Sequence, residues 1–162
     1  MPRGFKLKNF ANLLVIGWRE WVSLPELGID LIKAKIDTGA RTSALHAFDV
    51  KVISKNRKKM VRFKIHPDQK DATKVVKAIG ELVEMRQIRN SGGSLSLRPV
   101  IRTAVTLGIF SWKIELTLIN RDEMGFRMLL GREALRGHLL VNPAHGYLLG
   151  KRFKKKKKAR KI

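Results

Sequence analysis

Lys33-Ala34-Lys35-Ile36-Asp37-Thr38-Gly39-Ala40-Arg41-Thr42-Ser43-Ala44-Leu45-His46 is the stretch on which the reading of this chain turns. From Leu31 to Ile36 apolar and polar residues alternate, the period of a half-buried β-strand, and the run stops at Asp-Thr-Gly. Gly39 permits a tight turn whose backbone approaches its neighbours closely, and Ala40 leaves space beside it. A carboxylate at such a strand end reads in two ways. It is presented for acid–base chemistry, or it forms an Asx-turn with its own backbone, which the tripeptide taken alone favours.

Outward from this stretch the chain keeps a short period. Leu13 to Trp18, Phe48 to Ile53, Met60 to Ile65, Lys74 to Ile79, Glu81 to Ile88, Val100 to Leu107, Phe110 to Leu118 and Met128 to Leu130 are predicted strands. Pro25-Glu26-Leu27-Gly28, Lys55-Asn56-Arg57, Pro67-Asp68, Asn90-Ser91-Gly92-Gly93 and Gly108 supply turn chemistry between them. One short helix is predicted from Arg132 to Arg136, opening after Gly131 and stopped by Gly137. The expectation is an all-β domain, a small closed barrel with one short C-terminal helix, over residues 13–150. Residues 1–12 read as an N-terminal extension and 151–162 as a tail.

With 162 residues, 44% of them apolar, the chain can bury one sizeable core. No apolar run reaches membrane-spanning length, and Phe10 to Trp18 lacks the cleavage site of a signal peptide. Zero cysteines remove disulfides, thiolate metal sites and cysteine nucleophiles together, which fits a soluble, cytoplasmic protein. The formal charge is +22, from 35 basic and 13 acidic residues. Nine basic residues and no acidic one fall in the tail from Lys151, whose self-repulsion predicts a disordered segment with weak polyanion binding. The remaining body is still +13, enough to attract polyanions. No aromatic series of the kind that stacks bases interrupts the basic residues, which argues against sequence-specific reading of nucleic acid.

A second apolar-apolar-Gly unit, Met128-Leu129-Leu130-Gly131-Arg132, ends a strand at the predicted helix, as Lys35-Ile36-Asp37-Thr38-Gly39 ends one in a turn. This pair resembles the retropepsin-like aspartic protease family, in which Asp-Thr-Gly-Ala is the catalytic loop. Gly17-Trp18-Arg19-Glu20-Trp21, the block from Lys33 to His46, and Asn120 to Arg132 are similar to a bacterial and archaeal branch of RimB-like proteins, often labelled ATP-dependent zinc protease. The resemblance covers about residues 13 to 150. It implies Asp37, Thr38 and Gly39 as catalytic-loop residues and a homodimer in which two Asp37 carboxylates share one proton, and Ala40, Arg41 and Arg132 beside that loop are the expected substrate-binding residues. One aspartate then activates water while the other protonates the carbonyl oxygen of a peptide substrate.

Arg41 stands where viral relatives carry the acidic residue that pairs with the later Arg, so Arg132 lacks that partner. Glu133, Asp122 and Glu123 are alternative partners for the two arginines. Arg41 reads either as a carboxylate-binding group beside the site or as part of a surface ion pair. With the basic body it points to acidic or glutamate-bearing peptides, and the resemblance adds an ATP-grasp glutamate ligase as functional partner. The rival reading is a non-catalytic basic module that binds RNA, the ribosome or an acidic protein. The zinc and ATP label has no residues to carry it. His-Glu-x-x-His and a Gly-Lys-Ser/Thr phosphate loop are both absent, and His46, His66, His138 and His145 lack ligand spacing, so no metal or cofactor is expected. His46 can approach the site from nine residues on. Trp18 and Trp21 read as core or dimer packing before groove lining, Phe126 and Met128 as core, and Asn90 to Ser94 as either a flap tip or a plain hairpin turn.

Overall fold

The structure is a computed structural model that describes residues 13–89, 92–120 and 125–150. The expected extension at 1–12, the tail at 151–162, Asn90, Ser91, Asp122 and Glu123 lie outside the described residues. In chain order the first strands are β1 (Leu14–Gly17), β2 (Arg19–Leu24), β3 (Ile29–Asp37), β4 (Ser43–His46), β5 (Phe48–Lys55) and β6 (Lys58–Ile65). They are followed by β7 (Val76–Arg89), β8 (Leu95–Leu107), β9 (Phe110–Ile119), β10 (Met128–Gly131), the helix α1 (Arg132–Leu135) and β11 (Leu139–Asn142). No helix among the described residues is long and apolar enough to cross a membrane.

Six strands close into a barrel in the order β2-β3-β10-β4-β9-β8, with Ser23 of β2 paired to Thr106 of β8 to complete the ring. Inward-facing residues of alternating strands fill it, among them Val22, Ile32, Ala34, Leu45, Val105, Leu116, Met128 and Leu130, all inaccessible to solvent. Outside the ring β7, β6 and β5 continue the sheet from β8 as an antiparallel ribbon, and β1 pairs in parallel with β11 as a separate two-stranded sheet. The all-β class, the closed barrel and the single short helix follow the sequence reading.

Several boundaries move for local physical reasons. Lys74–Ile79 and Glu81–Ile88 are not two strands. They join through Gly80, where an added Cβ would sit 2.9 Å from Ile101 Cδ1, so this glycine marks a close packing contact, not a turn. β8 starts at Leu95, earlier than expected, because pairing with β7 carries the strand through Pro99. The predicted strand Leu13 to Trp18 forms as β1, and β2 begins just past it at Arg19, where Glu20 breaks the apolar alternation by taking an inward position with Val22 and Leu24. β4 and β11 went unpredicted: each is four residues long, and β4 buries the polar residues Ser43 and His46. The turn at Asn56-Arg57 is as read, with both residues at positive φ (52° and 63°), the geometry of a two-residue hairpin loop.

The tryptophan block serves packing. Trp18 meets Phe126 edge-on at 6.1 Å, Trp21 stacks on Tyr147 at 5.9 Å, and the Arg19 guanidinium lies over both Trp18 and Tyr147 at 4.5 and 4.7 Å. Glu20, fully buried, accepts hydrogen bonds from the N–H groups of Gly17 (3.0 Å), Leu148 (2.7 Å) and Leu149 (3.4 Å). One carboxylate thus ties the segment after β11 to the β1–β2 corner. Glu20→Gln puts an amide N–H against a backbone donor, and we expect a loss of about 2 kcal/mol, or about 4–8 °C in Tm. Thermal unfolding with limited proteolysis around residues 143–150 checks this, and an unchanged Tm refutes the pinning role.

Candidate active site

Asp37 is the last residue of β3, and its neighbour across the parallel pairing is Gly131, the last residue of β10. β10 is inserted between β3 and β4, parallel to the first and antiparallel to the second. The loop 38–42 that joins β3 to β4 must therefore pass around the end of β10. This topology aims Asp37. Gly131 is required at the crossing, because a Cβ there would lie 2.5 Å from both the carbonyl carbon and the oxygen of Thr42. Its N–H donates to the buried Ser43 Oγ at 3.0 Å, which holds strand and loop together.

Within the loop, Asp37 Oδ1 accepts from the N–H groups of Gly39 (3.0 Å) and Ala40 (3.1 Å), the Asx geometry anticipated from the sequence. These bonds orient the half-buried carboxylate, and among the described residues they use only Oδ1. The turn reading and the site reading are thus compatible: the turn positions the carboxylate. Thr38 and Gly39 are exposed at the apex. α1 braces the loop from the other side. The Arg132 N–H donates to Ala40 O (2.7 Å), the Glu133 N–H to Arg41 O (3.1 Å), and the Arg132 guanidinium to Thr38 O (3.0 Å). Arg132 thus takes a backbone carbonyl of loop 38–42 as its partner.

The question of partners resolves on Glu133. Arg41 Nε donates to Glu133 Oε1 at 3.1 Å, with both side chains largely exposed. The Arg41 hydrogen bond and charge hold the Glu133 carboxyl below the usual carboxylate range. What that pairing contributes is complete above the ordinary carboxylate pKa and fades only as pH falls through the lowered value, so the pair is intact at neutral and mildly acidic pH.

Beside the loop lies a cavity of about 660 Å³, lined by Arg41, Thr42 and Ser43, by Glu84 and Arg86 of β7, by Lys113, Ile114 and Glu115 of β9, and by Glu133 and Ala134 of α1. Its cations are held against carboxylates: Arg86 meets Glu84 (2.5 Å) and Glu115 (3.4 Å), and Lys113 meets Glu26. Arg86 and Lys113 were not singled out in the sequence. They come from strands far from Asp37 in the chain, and the only local trace is the alternation of Glu84 and Arg86 on one face of β7. Of the expected substrate-binding residues, Arg41 lines this cavity. Arg132 lines a smaller apolar hollow of about 340 Å³ with Thr38, Leu135 and Leu139, and Ala40 lines neither.

His46 does not approach the loop. It is buried in β4, about 10 Å along the strand from Ser43, and its backbone N–H donates to Arg127 O. His66 stacks on Phe48 and His138 on Trp112, so these histidines sit in separate places. No group of three or more metal-ligating side chains occurs among the described residues.

Residues 15–152 match the RimB-like family, described as retropepsin-like aspartic endopeptidase RimB. A probable alpha-L-glutamate ligase of Parasynechococcus marenigrum is 46% identical over 137 residues, covering 85% of this chain and 29% of that protein. One of Shewanella halifaxensis is 40% identical over 139 residues, covering 86% and 30%. The chain thus spans about three tenths of the length of these curated relatives. In three dimensions it is similar to the crystal structure of a Legionella pneumophila protein of unknown function, at a TM-score of 0.71 and 27% identity, covering 84% of this chain and 98% of the other.

Proposed function

This chain belongs to the RimB-like family of retropepsin-like aspartic endopeptidases, and on that premise we propose that it is an aspartic endopeptidase assembled from two copies, each contributing Asp37. The observation that carries this reading is the Asp37 loop. Its carboxylate is oriented by two N–H groups through Oδ1, and the loop apex is exposed while Gly131 and Arg132 brace it from behind. Two such carboxylates about 3 Å apart cannot both ionise cheaply, so they hold one proton between them. The charged aspartate takes a proton from the attacking water, the protonated one donates to the scissile carbonyl oxygen, and no covalent enzyme intermediate forms. Thr38 is exposed at the apex, which suits a residue that reaches across the two-fold axis of such a dimer.

The substrate is an acidic peptide. Arg41, Arg86 and Lys113 converge on the cavity beside the loop, and each is paired internally with a glutamate that an incoming carboxylate can replace. The name alpha-L-glutamate ligase carried by the longer relatives suits this choice, and a ligase of that class is the functional partner we assign. The test compares matched acidic and neutral peptide libraries. Arg86→Gln should raise KM for acidic peptides about tenfold, the worth of one charge-assisted hydrogen bond, with cleavage of neutral peptides unchanged. Equal or preferential cleavage of the neutral set by the wild type rules out the acidic specificity.

A further inference from the structure

We infer that the outer face of the β5–β6–β7 ribbon binds a single-stranded nucleic acid by its phosphodiester backbone, through Lys51, Arg62, Lys64 and Lys77. The register puts these four on one face. Lys51 is directly opposite Arg62, Lys64 is directly opposite Lys77, and Arg62 and Lys64 are two residues apart on β6. The inner face of the same ribbon is apolar, with Val61, Phe63, Ile65 and Ala78 buried in the core. The four cations line one cavity of about 370 Å³, in which Asp49 is the single carboxylate.

Like charges directly opposite on a sheet destabilise it, and this ribbon carries three such pairs, Lys51 with Arg62, Lys64 with Lys77, and Lys55 with Lys58 at the turn. Opposite charges are the minority: residues 48–89 hold twelve basic and five acidic side chains, and Glu81 on this face lies beyond Ile79 from Lys77. Asp49 pairs with Lys64 at 2.8 Å, and among the described residues Lys51, Arg62 and Lys77 have no ion pair. In the cavity beside loop 38–42 the opposite holds, since its cations Arg41, Arg86 and Lys113 all meet carboxylates. Protection of a sheet edge accounts for cations on β5, the edge strand, but not for Arg62, Lys64 and Lys77 on the interior strands β6 and β7. A counter-charge from outside the chain does account for them.

The geometry favours a nucleic-acid backbone over an acidic protein. Strand spacing and residue rise put the cations in a patch about 10 Å across the strands and about 7 Å along them, the footprint of one backbone. A protein-docking site has an apolar or aromatic centre. Here the one aromatic residue of the face, Phe48, is committed to a stack with His66 at 4.6 Å, and the exposed apolar residue within the patch, Ile79 opposite Arg62, is a single side chain flanked by Lys77. Binding should therefore be indifferent to base sequence and strongly salt-dependent.

The test uses the full chain and a labelled 20-nucleotide oligouridine, with affinity measured across a salt series. Changing Lys51, Arg62, Lys64 and Lys77 together to Gln should flatten the slope of log affinity against log salt by about 2–3, at about 0.7 per neutralised phosphate. The tail is present in both proteins, so the difference reports the sheet face. In the wild type, oligouridine should protect Lys51, Lys64 and Lys77 from acetylation and leave Lys113 reactive. An unchanged slope or unprotected lysines overturn the inference, and the footprint decides alone if the fourfold variant does not fold. Displacement of oligouridine by an equal concentration of polyglutamate, with the same lysines protected, overturns it in favour of an acidic protein. The inference is independent of the Asp37 site and of whether any peptide is cleaved.

Discussion

Asp37→Asn lowers peptide cleavage by about three orders of magnitude, the middle of the range for loss of a positioned acid–base group, and leaves the fold intact. Both halves of this expectation come from the loop geometry. Asparagine keeps an oxygen at the Oδ1 position, so the Gly39 and Ala40 N–H groups retain their acceptor and the turn is preserved. The amide cannot share a proton with its counterpart, so water is not activated. Mixing experiments then separate a two-chain site from a one-chain site. With a roughly tenfold excess of the variant, most wild-type chains exchange into mixed dimers, and residual activity should fall to roughly a tenth. Unchanged wild-type activity in the mixture, with exchange verified by mass, contradicts the shared dyad. A chelator resolves the zinc label: activity should survive it, whereas loss on chelation with full activity in Asp37→Asn overturns the aspartic mechanism.

Gly131→Ala destabilises the protein by about 3 kcal/mol, or about 6–12 °C in Tm, and reduces activity together with stability. The backbone conformation at Gly131 (φ −87°, ψ 173°) is open to any residue, so the cost is steric. The added methyl meets Thr42 backbone atoms at 2.5 Å, and backbone held in a barrel cannot swing aside as a side chain would. Relief requires β10 to separate from loop 38–42, which breaks the Gly131–Ser43 hydrogen bond and shifts the support behind Asp37. Gly125→Ala is the matched control, with open space around its Cβ position and an expected change below about 0.5 kcal/mol. Equal effects of the two substitutions, measured by thermal unfolding, refute this account of Gly131.

The parts legible in the sequence share one physical cause, namely that they depend on short-range rules. Alternation of apolar residues marked most strands, paired positive-φ residues fitted the Asn56-Arg57 turn, and Gly131 and Gly137 bracketed α1. Asp37-Thr38-Gly39-Ala40 was legible as a turn because its hydrogen bonds span only two and three residues. The misreadings come where a tertiary contact overrides the local signal. Glu20 breaks the alternation of β2 because its carboxylate is solvated by N–H groups of Leu148 and Leu149, and Gly80 interrupts the apolar pattern of β7 because Ile101 fills the space of its side chain.

The β class, the carboxylate-bearing turn and the excess of positive charge follow from neighbouring residues or from composition, and a chain without coordinates already carries them. How those elements are used depends on contacts made in three dimensions. Insertion of β10 between β3 and β4 sets Gly131 against Asp37, and α1 gives Arg132 to Thr38 and Glu133 to Arg41. Register across β5, β6 and β7 gathers four cations onto one face, while Arg86 and Lys113 reach the cavity beside Arg41 from other strands. Such contacts join residues far apart in the chain, where pairing depends on topology and close packing, and no local pattern encodes it.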